Sequence, residues 1–233
     1  MIEAAEAALR AHVPFAVLRP RLQQAGLAFL ISLAGSDSGW RPRFLDLTIA
    51  APSGAMELAR DAIALANRLM QPAPTTAIGS TLGNDDIETI EAAAAELRYA
   101  DGRLASLRVR TAATEQVTLF ADCPLGELAL QSEGGESTLT MSLRDGRRET
   151  SHLTDRDPFV LEAQRAARVL GGGAGDALLA PRDGSVLFAL EQSLESGQAT
   201  PVEERSSRAN LVLVTGRGVP TSTRRGRLHL VGA

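Results

Sequence analysis

Glu57, Arg60, Asp61 and Asn67 are the polar groups that the chain's clearest helical stretch could offer a ligand. Guanidinium groups are planar forks of donors that suit a carboxylate or phosphate, Asp61 can accept a proton or an ion pair, and an asparagine amide both donates and accepts. That set gives grip without turnover. A lone carboxylate with no second acid or base beside it makes a poor proton shuttle. All 24 positive residues are arginine, so no lysine is present to form a Schiff base or act as an acid or base. His12, His152 and His229 stand singly, without a second histidine, cysteine or carboxylate at ligand spacing, which predicts no metal site. Cys123 sits in a strand-like run ahead of Pro124 and reads as a buried small hydrophobe, not a nucleophile.

The element that must position these groups is the stretch from Ser53 to Met70, SGAMELARDAIALANRLM. Pro52 and Ser53 offer a helix start, and Pro72 and Pro74 a stop. Met56, Ala59, Ile63, Ala66 and Met70, with Leu58, Leu65 and Leu69 beside them, recur at helical spacing and form a broad apolar face to lay on a sheet. Glu57, Arg60, Asp61 and Asn67 are expected on the opposite, solvated side.

The flanking segments predict a sheet-dominated chain. Residues 2 to 12 have helix propensity and lead into the short strand candidate VPFAV. A mixed segment from Arg21 to Leu33 gives way to a loop at AGSDSG, and Arg43 to Ala50 alternates as a half-buried strand. Ile87 to Leu97 is rich in Ala and Glu and by propensity alone would be helix. The Asp101-Gly102 pair, flanked by two-residue alternation on both sides, instead predicts a hairpin. Strand signals continue through EQVTLFAD, GELALQSE, STLTMSL and RRETSHL, implying a sizeable antiparallel sheet. Asp157 and Pro158 open a helix over PFVLEAQRAARVL, ended by Gly171 to Gly175, and Asp183 to Ser196 predicts another, stopped by Gly197.

Length and charge narrow the class. The chain has 233 residues, 44% hydrophobic residues and a net charge of -4, enough for one large domain or two small ones with a core. An acidic chain with 3% aromatics excludes a nucleic-acid stacking platform. No run approaches the ~20 apolar residues of a membrane span, and the start MIEAAE lacks the basic head of a secretory signal. A cytoplasmic address, agreeing with a single cysteine, is therefore expected. The segment 206–233 stands apart, carrying Arg208, Arg217, Arg224, Arg225 and Arg227 and no acid. It reads either as an edge hairpin or as an arm that adds a strand to a partner.

The order of elements, with the hairpin YADGRLASL, the strand–turn–strand VTLFADCPLGELAL and the closing ALEQSLESGQATPV, resembles the C-terminal domain of the glucose–fructose oxidoreductase/inositol dehydrogenase (Gfo/Idh/MocA) family. The likeness spans residues 1–205, of which 1–17 resemble the last helix and strand of a Rossmann domain, and leaves 206–233 as an Arg-rich β tail. It implies an α+β fold: a large, mostly antiparallel open sheet with helices on one face. In that family a Rossmann domain binds NAD or NADP, and the sheet domain shapes the substrate pocket and usually builds the oligomer.

The resemblance also implies what is missing. No G-x-G-x-x-G follows a strand, so no cofactor is expected on this chain, and the family's E-K-P lysine is expected ahead of Met1, with no lysine here to replace it. Aligned on the family's G-G-x-x-x-D-x-G-x-H-x-x-D segment, Gly54 falls on a glycine, Leu58 on the aspartate, Ala62 on the histidine and Leu65 on the second aspartate. No catalytic residue is therefore assigned. The leading expectation is a non-catalytic accessory or oligomerisation subunit, assembling with itself or with a Rossmann-containing dehydrogenase. Two alternatives stand beside it: the substrate-binding subunit of an NAD(P)-dependent sugar or polyol oxidoreductase whose cofactor domain is supplied in trans, and a stand-alone binder of an anionic sugar or acid. Both would use Arg19, Arg21, Arg60, Asp61 and Asn67 as substrate contacts. A truncated enzyme is the plainest further reading.

Overall fold

Alternation of apolar and polar residues sets the plane around which the chain is built. The computed structural model describes residues 19–71, 73–83, 90–170 and 179–203. Within them the order is a 3-10 turn at Pro20–Gln23, α1 (Ala25–Ser36), β1 (Phe44–Ala51), α2 (Ala55–Met70), β2 (Thr76–Gly83), β3 (Ile90–Arg98), β4 (Leu104–Thr111), β5 (Gln116–Asp122), β6 (Gly126–Glu133), β7 (Glu136–Leu143), β8 (Arg148–Thr154), α3 (Pro158–Leu170), α4 (Leu179–Ser196) and the short β9 (Thr200–Pro201). The strands form one nine-stranded sheet in the order β8-β7-β6-β5-β1-β4-β3-β2-β9.

The expected α+β class, with an open and mostly antiparallel sheet, is what forms. Every pairing is antiparallel except β1 with β4, which run parallel in a central position the strand patterns alone did not distinguish. Leu45, Leu47 and Ile49 of β1 are fully buried and register with Ala105, Leu107 and Val109 on one side and Ala121, Leu119 and Val117 on the other. Against this apolar face pack α1, α2 and α4, while α3 lies against residues 20–23. On the other face Phe44, Asp46, Thr118, Phe120, Glu127 and Gln131 are half-buried or exposed. Burying each large aliphatic side chain on the helix side contributes roughly 1.5–3 kcal/mol, so the covered face carries most of the sheet's hydrophobic stabilisation.

The central helix, α2, is favoured by Ala, Leu, Met and Arg along its length and starts at Gly54, which offers no side-chain cap. Glu57 in its first turn complements the helix dipole, and at its end Arg103 donates to the carbonyls of Met70 and Gln71. The hairpin expected at Asp101-Gly102 is present, with Gly102 at a φ of 83. That left-handed conformation is why the turn needs glycine, and it holds the Ala-rich β3 between two strands against its helix propensity. Gly126 answers a different need: a Cβ there would stand 2.1 Å from the Ser142 carbonyl oxygen across the β6–β7 pair.

Three expectations change. β2, TAIGSTLG, was not foreseen as a strand because its small residues and two glycines carry no β signal. It exists through pairing with β3 and because the Gly79 N–H donates to the Ser193 hydroxyl of α4 at 3.0 Å. The loop expected at AGSDSG begins later, since α1 runs to Ser36 before the chain turns at Asp37, and α4 starts at Leu179 instead of Asp183. The helix–strand lead-in over 1–17, the helix stop at 171–175 and the tail 206–233 lie outside the described residues.

Candidate functional site

Arg19 is the hub of a charged cluster beneath α2. Its backbone N–H donates to Glu162 Oε1 at 2.8 Å, its Nη1 to the Arg60 carbonyl at 2.9 Å and to Asp61 Oδ1 at 3.4 Å, and its Nη2 to Asp183 Oδ2 at 3.2 Å. Arg21 pairs with the other Asp61 oxygen, Oδ2, and its Nε donates to Glu115 Oε1 at 2.9 Å, where the Gln24 amide also donates at 2.6 Å. Asn67 Nδ2 donates to Asp183 Oδ1 at 2.8 Å. Glu162 in turn holds Arg165 through two bonds of 2.8 and 2.6 Å. The cluster thus joins the chain entering α1 to α2, α3 and α4.

The five residues singled out from sequence are sorted by this geometry. Arg19, Arg21 and Asp61 come together, with their side chains only 11–14% exposed. Asn67 joins them through Asp183, but it was expected on the solvated side of α2 and is instead fully buried. Packing decides this, because α4 covers the flank of α2 that the helical pattern left open. Arg60 is exposed and contributes its backbone carbonyl, not its guanidinium, to the cluster. Glu115, Asp183 and Glu162 were missed: each lies 54 or more positions from Asp61 in sequence, and no spacing rule links residues that meet only through tertiary packing.

Charge is spent internally here. Burial raises Asp61 above its ordinary carboxylate pKa, with the charges of Arg21 and Arg19 working against that shift. Asp183 is likewise raised, first by burial, with the Asn67 hydrogen bond and Arg19 opposing. For Glu162 burial also pushes upward, but hydrogen bonds from Arg165 and the Arg19 N–H, with the Arg165 charge, outweigh it and hold the carboxyl below its usual value. Both Asp61 oxygens have arginine partners, so this carboxylate is occupied as an ion-pair acceptor and is not poised as a base.

The positions that resemble catalytic ones are further from chemistry still. Leu58, Ala62 and Leu65 have no exposed surface and pack in the main core. Cys123 is buried as expected, its Sγ donating to the Trp40 carbonyl at 3.3 Å, and burial followed by the charge of Asp122 pushes the thiol up to about 12. Among the described residues no group of three or more His, Cys, Asp and Glu is placed to hold a metal ion, and no helix is long and apolar enough to cross a membrane. Strands hand over to helices in the described residues at 52–54 and 155–157, and neither junction has the spaced glycines that let a dinucleotide pyrophosphate approach the backbone. The described residues do not fit a nicotinamide cofactor.

The described residues form a broad open sheet with helices on one side and an internally paired charge cluster. By sequence, no protein-family model and no curated protein matches the chain. By structure it is similar to UDP-N-acetylglucosamine 3-dehydrogenase from Acidithiobacillus ferrooxidans, at a TM-score of 0.68 and 16% identity over 83% of this chain and 67% of that one. It is similar as well to an oxidoreductase from Agrobacterium radiobacter in complex with NAD+, L-tartaric acid and magnesium, at 0.68 and 15% over 86% of this chain and 69% of that one. An NAD-binding oxidoreductase from Klebsiella pneumoniae gives 0.66 and 13% over 86% and 70%. The fold is that of Gfo/Idh/MocA-type oxidoreductases, matching the resemblance carried by the hairpin and strand motifs.

Proposed function

We propose that this chain is a non-catalytic accessory or oligomerisation subunit of the oxidoreductase type, acting through the uncovered face of its sheet. It would assemble with a second copy or with a complete Rossmann-containing dehydrogenase. The observation that carries this reading is the state of α2: its three motif positions are core residues, and its one carboxylate with a chemical role to play is held by Arg19 and Arg21.

The uncovered face supplies the surface. Phe44 and Phe120 form a tilted aromatic pair with centroids 6.5 Å apart, flanked by the Asp46–Arg108 ion pair and the Gln116–Glu133 hydrogen bond. An aromatic centre within a polar surround is the composition of protein–protein interfaces, where a specific contact buries about 800 Å² per partner. A substrate-binding role in trans would need Arg60 and Asp61 to face a ligand together, and their divergent placement favours the association reading.

Light scattering on the eluting chain, with co-purification from the native host and mass spectrometry, tests it. A defined oligomer or a dehydrogenase partner is expected. A lone monomer without partner at physiological concentration, or purified chain that oxidises a sugar with added dinucleotide, would overturn it.

A further inference from the structure

The helix α3 is mounted with its polarity reversed. An amphipathic helix ordinarily lays its apolar stripe on the core and turns its charges to solvent. On α3 the side chain turned inward most deeply is Glu162, 2% exposed and held by the Arg19 N–H and by Arg165, while Phe159 and Val160 stand outward at 71% and 50%. They are the two most exposed large hydrophobic side chains among the described residues. Ala163 and Ala167 continue the same exposed side at the four-residue step that makes helical neighbours. Adjoining exposed apolar residues on a helix anchored by its polar side mark a contact surface.

The stripe fits a copy of itself. Ala163 lies at its middle, with Phe159 one turn before and Ala167 one turn after. In an antiparallel pair with a two-fold axis at Ala163, the ring of Phe159 therefore meets the small side chain of Ala167 of the partner subunit, and the reverse. Alanine on the axis lets two helices approach to the short end of the ~8–10 Å interaxial range. Charge agrees with shape. Asp157 caps the first turn through Oδ1 alone, accepting from the Phe159 and Val160 N–H groups at 2.9 and 3.3 Å. Arg168 in the last turn has no partner among the described residues. Antiparallel packing brings the second Asp157 oxygen beside the partner's Arg168 and sets opposite helix dipole ends side by side.

We propose that α3 is a self-association surface, pairing in antiparallel register through Phe159, Ala163 and Ala167 with α3 of a second copy. A helix of 13 residues is about 20 Å long. Two such helices bury less than the ~800 Å² per partner of a standard interface, so the pair is weak, with a Kd of about 10 µM to 1 mM. The contact shares no residue with the uncovered sheet face, so it is independent of the association reading above.

Sedimentation of the full chain carrying Phe120→Arg, in which the sheet face is spoiled by charge, tests the helix pair alone. Dimer is expected to form between about 10 µM and 1 mM. Adding Phe159→Asp, at an exposed position whose ring the fold does not need, should weaken it at least about tenfold. Cysteine substitutions in the same chain test the register. Ala163→Cys places a thiol on the axis, opposite its own copy, and should form an interchain disulfide under diamide. Ala167→Cys, about 6 Å further along the helix, lies about 12 Å from its copy and should not. The native Cys123 is buried and leaves that readout clean. A monomer at about 1 mM, which would leave the stripe to a different chain, dimerisation unchanged by Phe159→Asp, or cross-linking as fast at 167 as at 163 overturns the proposal.

Discussion

The guanidinium of Arg19 reaches Asp61 on α2 at 3.4 Å and Asp183 on α4 at 3.2 Å, so a single side chain from the entry segment ties two helices together. Both partners are largely shielded beside it, with side-chain exposures of 14% for Asp61 and 7% for Asp183. Removing one member of such a group leaves uncompensated buried charge and costs roughly 3–5 kcal/mol. Arg19→Ala should lower unfolding stability by about that amount in urea titrations, while Arg19→Lys, keeping charge but not the fork, should lose less. A loss below about 1 kcal/mol for the alanine variant would mean that the cluster is solvated in solution.

Acid acts on the cluster in two senses. Glu162, held below its ordinary value of 4.5, binds protons less readily folded than unfolded, so its stabilisation is present above that value and fades as pH falls through the folded pKa. Asp61 and Asp183, raised above 3.8, contribute in the other direction: their share is fully present below 3.8 and is lost as pH rises through their folded values. Glu162→Gln should therefore cost about 1.5–3 kcal/mol near pH 7 and progressively less below pH 4.5. Denaturation midpoints of both proteins measured across pH 3 to 7 should converge on the acid side. A constant gap would show that Glu162 acts through shape and not charge.

An aspartate at position 58, where the Gfo/Idh/MocA pattern carries one, should not be tolerated by this fold. Leu58 has no exposed surface and sits against the core. Leu58→Asp would bury a charge without a partner, and a destabilisation above about 4 kcal/mol is expected, visible as loss of the folded near-ultraviolet circular dichroism signal. A stable, folded L58D protein would place this helix face at a wet surface and undo the account of α2.

Association through the sheet should respond to that face alone. Phe120 is 38% exposed on the side that α1, α2 and α4 do not cover. Phe120→Arg should change monomer stability by less than about 1 kcal/mol and weaken any self-association at least about tenfold, read by analytical ultracentrifugation. Association unaffected by this change would move the interface elsewhere.

Local signals settled a large part of this molecule. Leu45, Leu47 and Ile49 alternate with polar neighbours, and that period of two makes β1 a half-covered strand wherever it is placed. Asp101-Gly102 outweighed an Ala-rich run because a turn needing positive φ is stricter than a propensity of a few tenths of a kcal/mol per residue. The apolar spacing from Met56 to Met70 fixed α2. Position 67 was decided otherwise. Its place on a helical wheel says solvent, yet α4, more than a hundred residues later in the chain, covers it and supplies Asp183 as its partner. The same holds for β2, whose small residues carry no signal and which becomes a strand only because β3 and α4 offer hydrogen bonds to its backbone. Periodicity and turn chemistry act between neighbours in sequence, whereas which buried charge meets which, and which helix face is left open, depends on contacts formed only when distant elements close over one another.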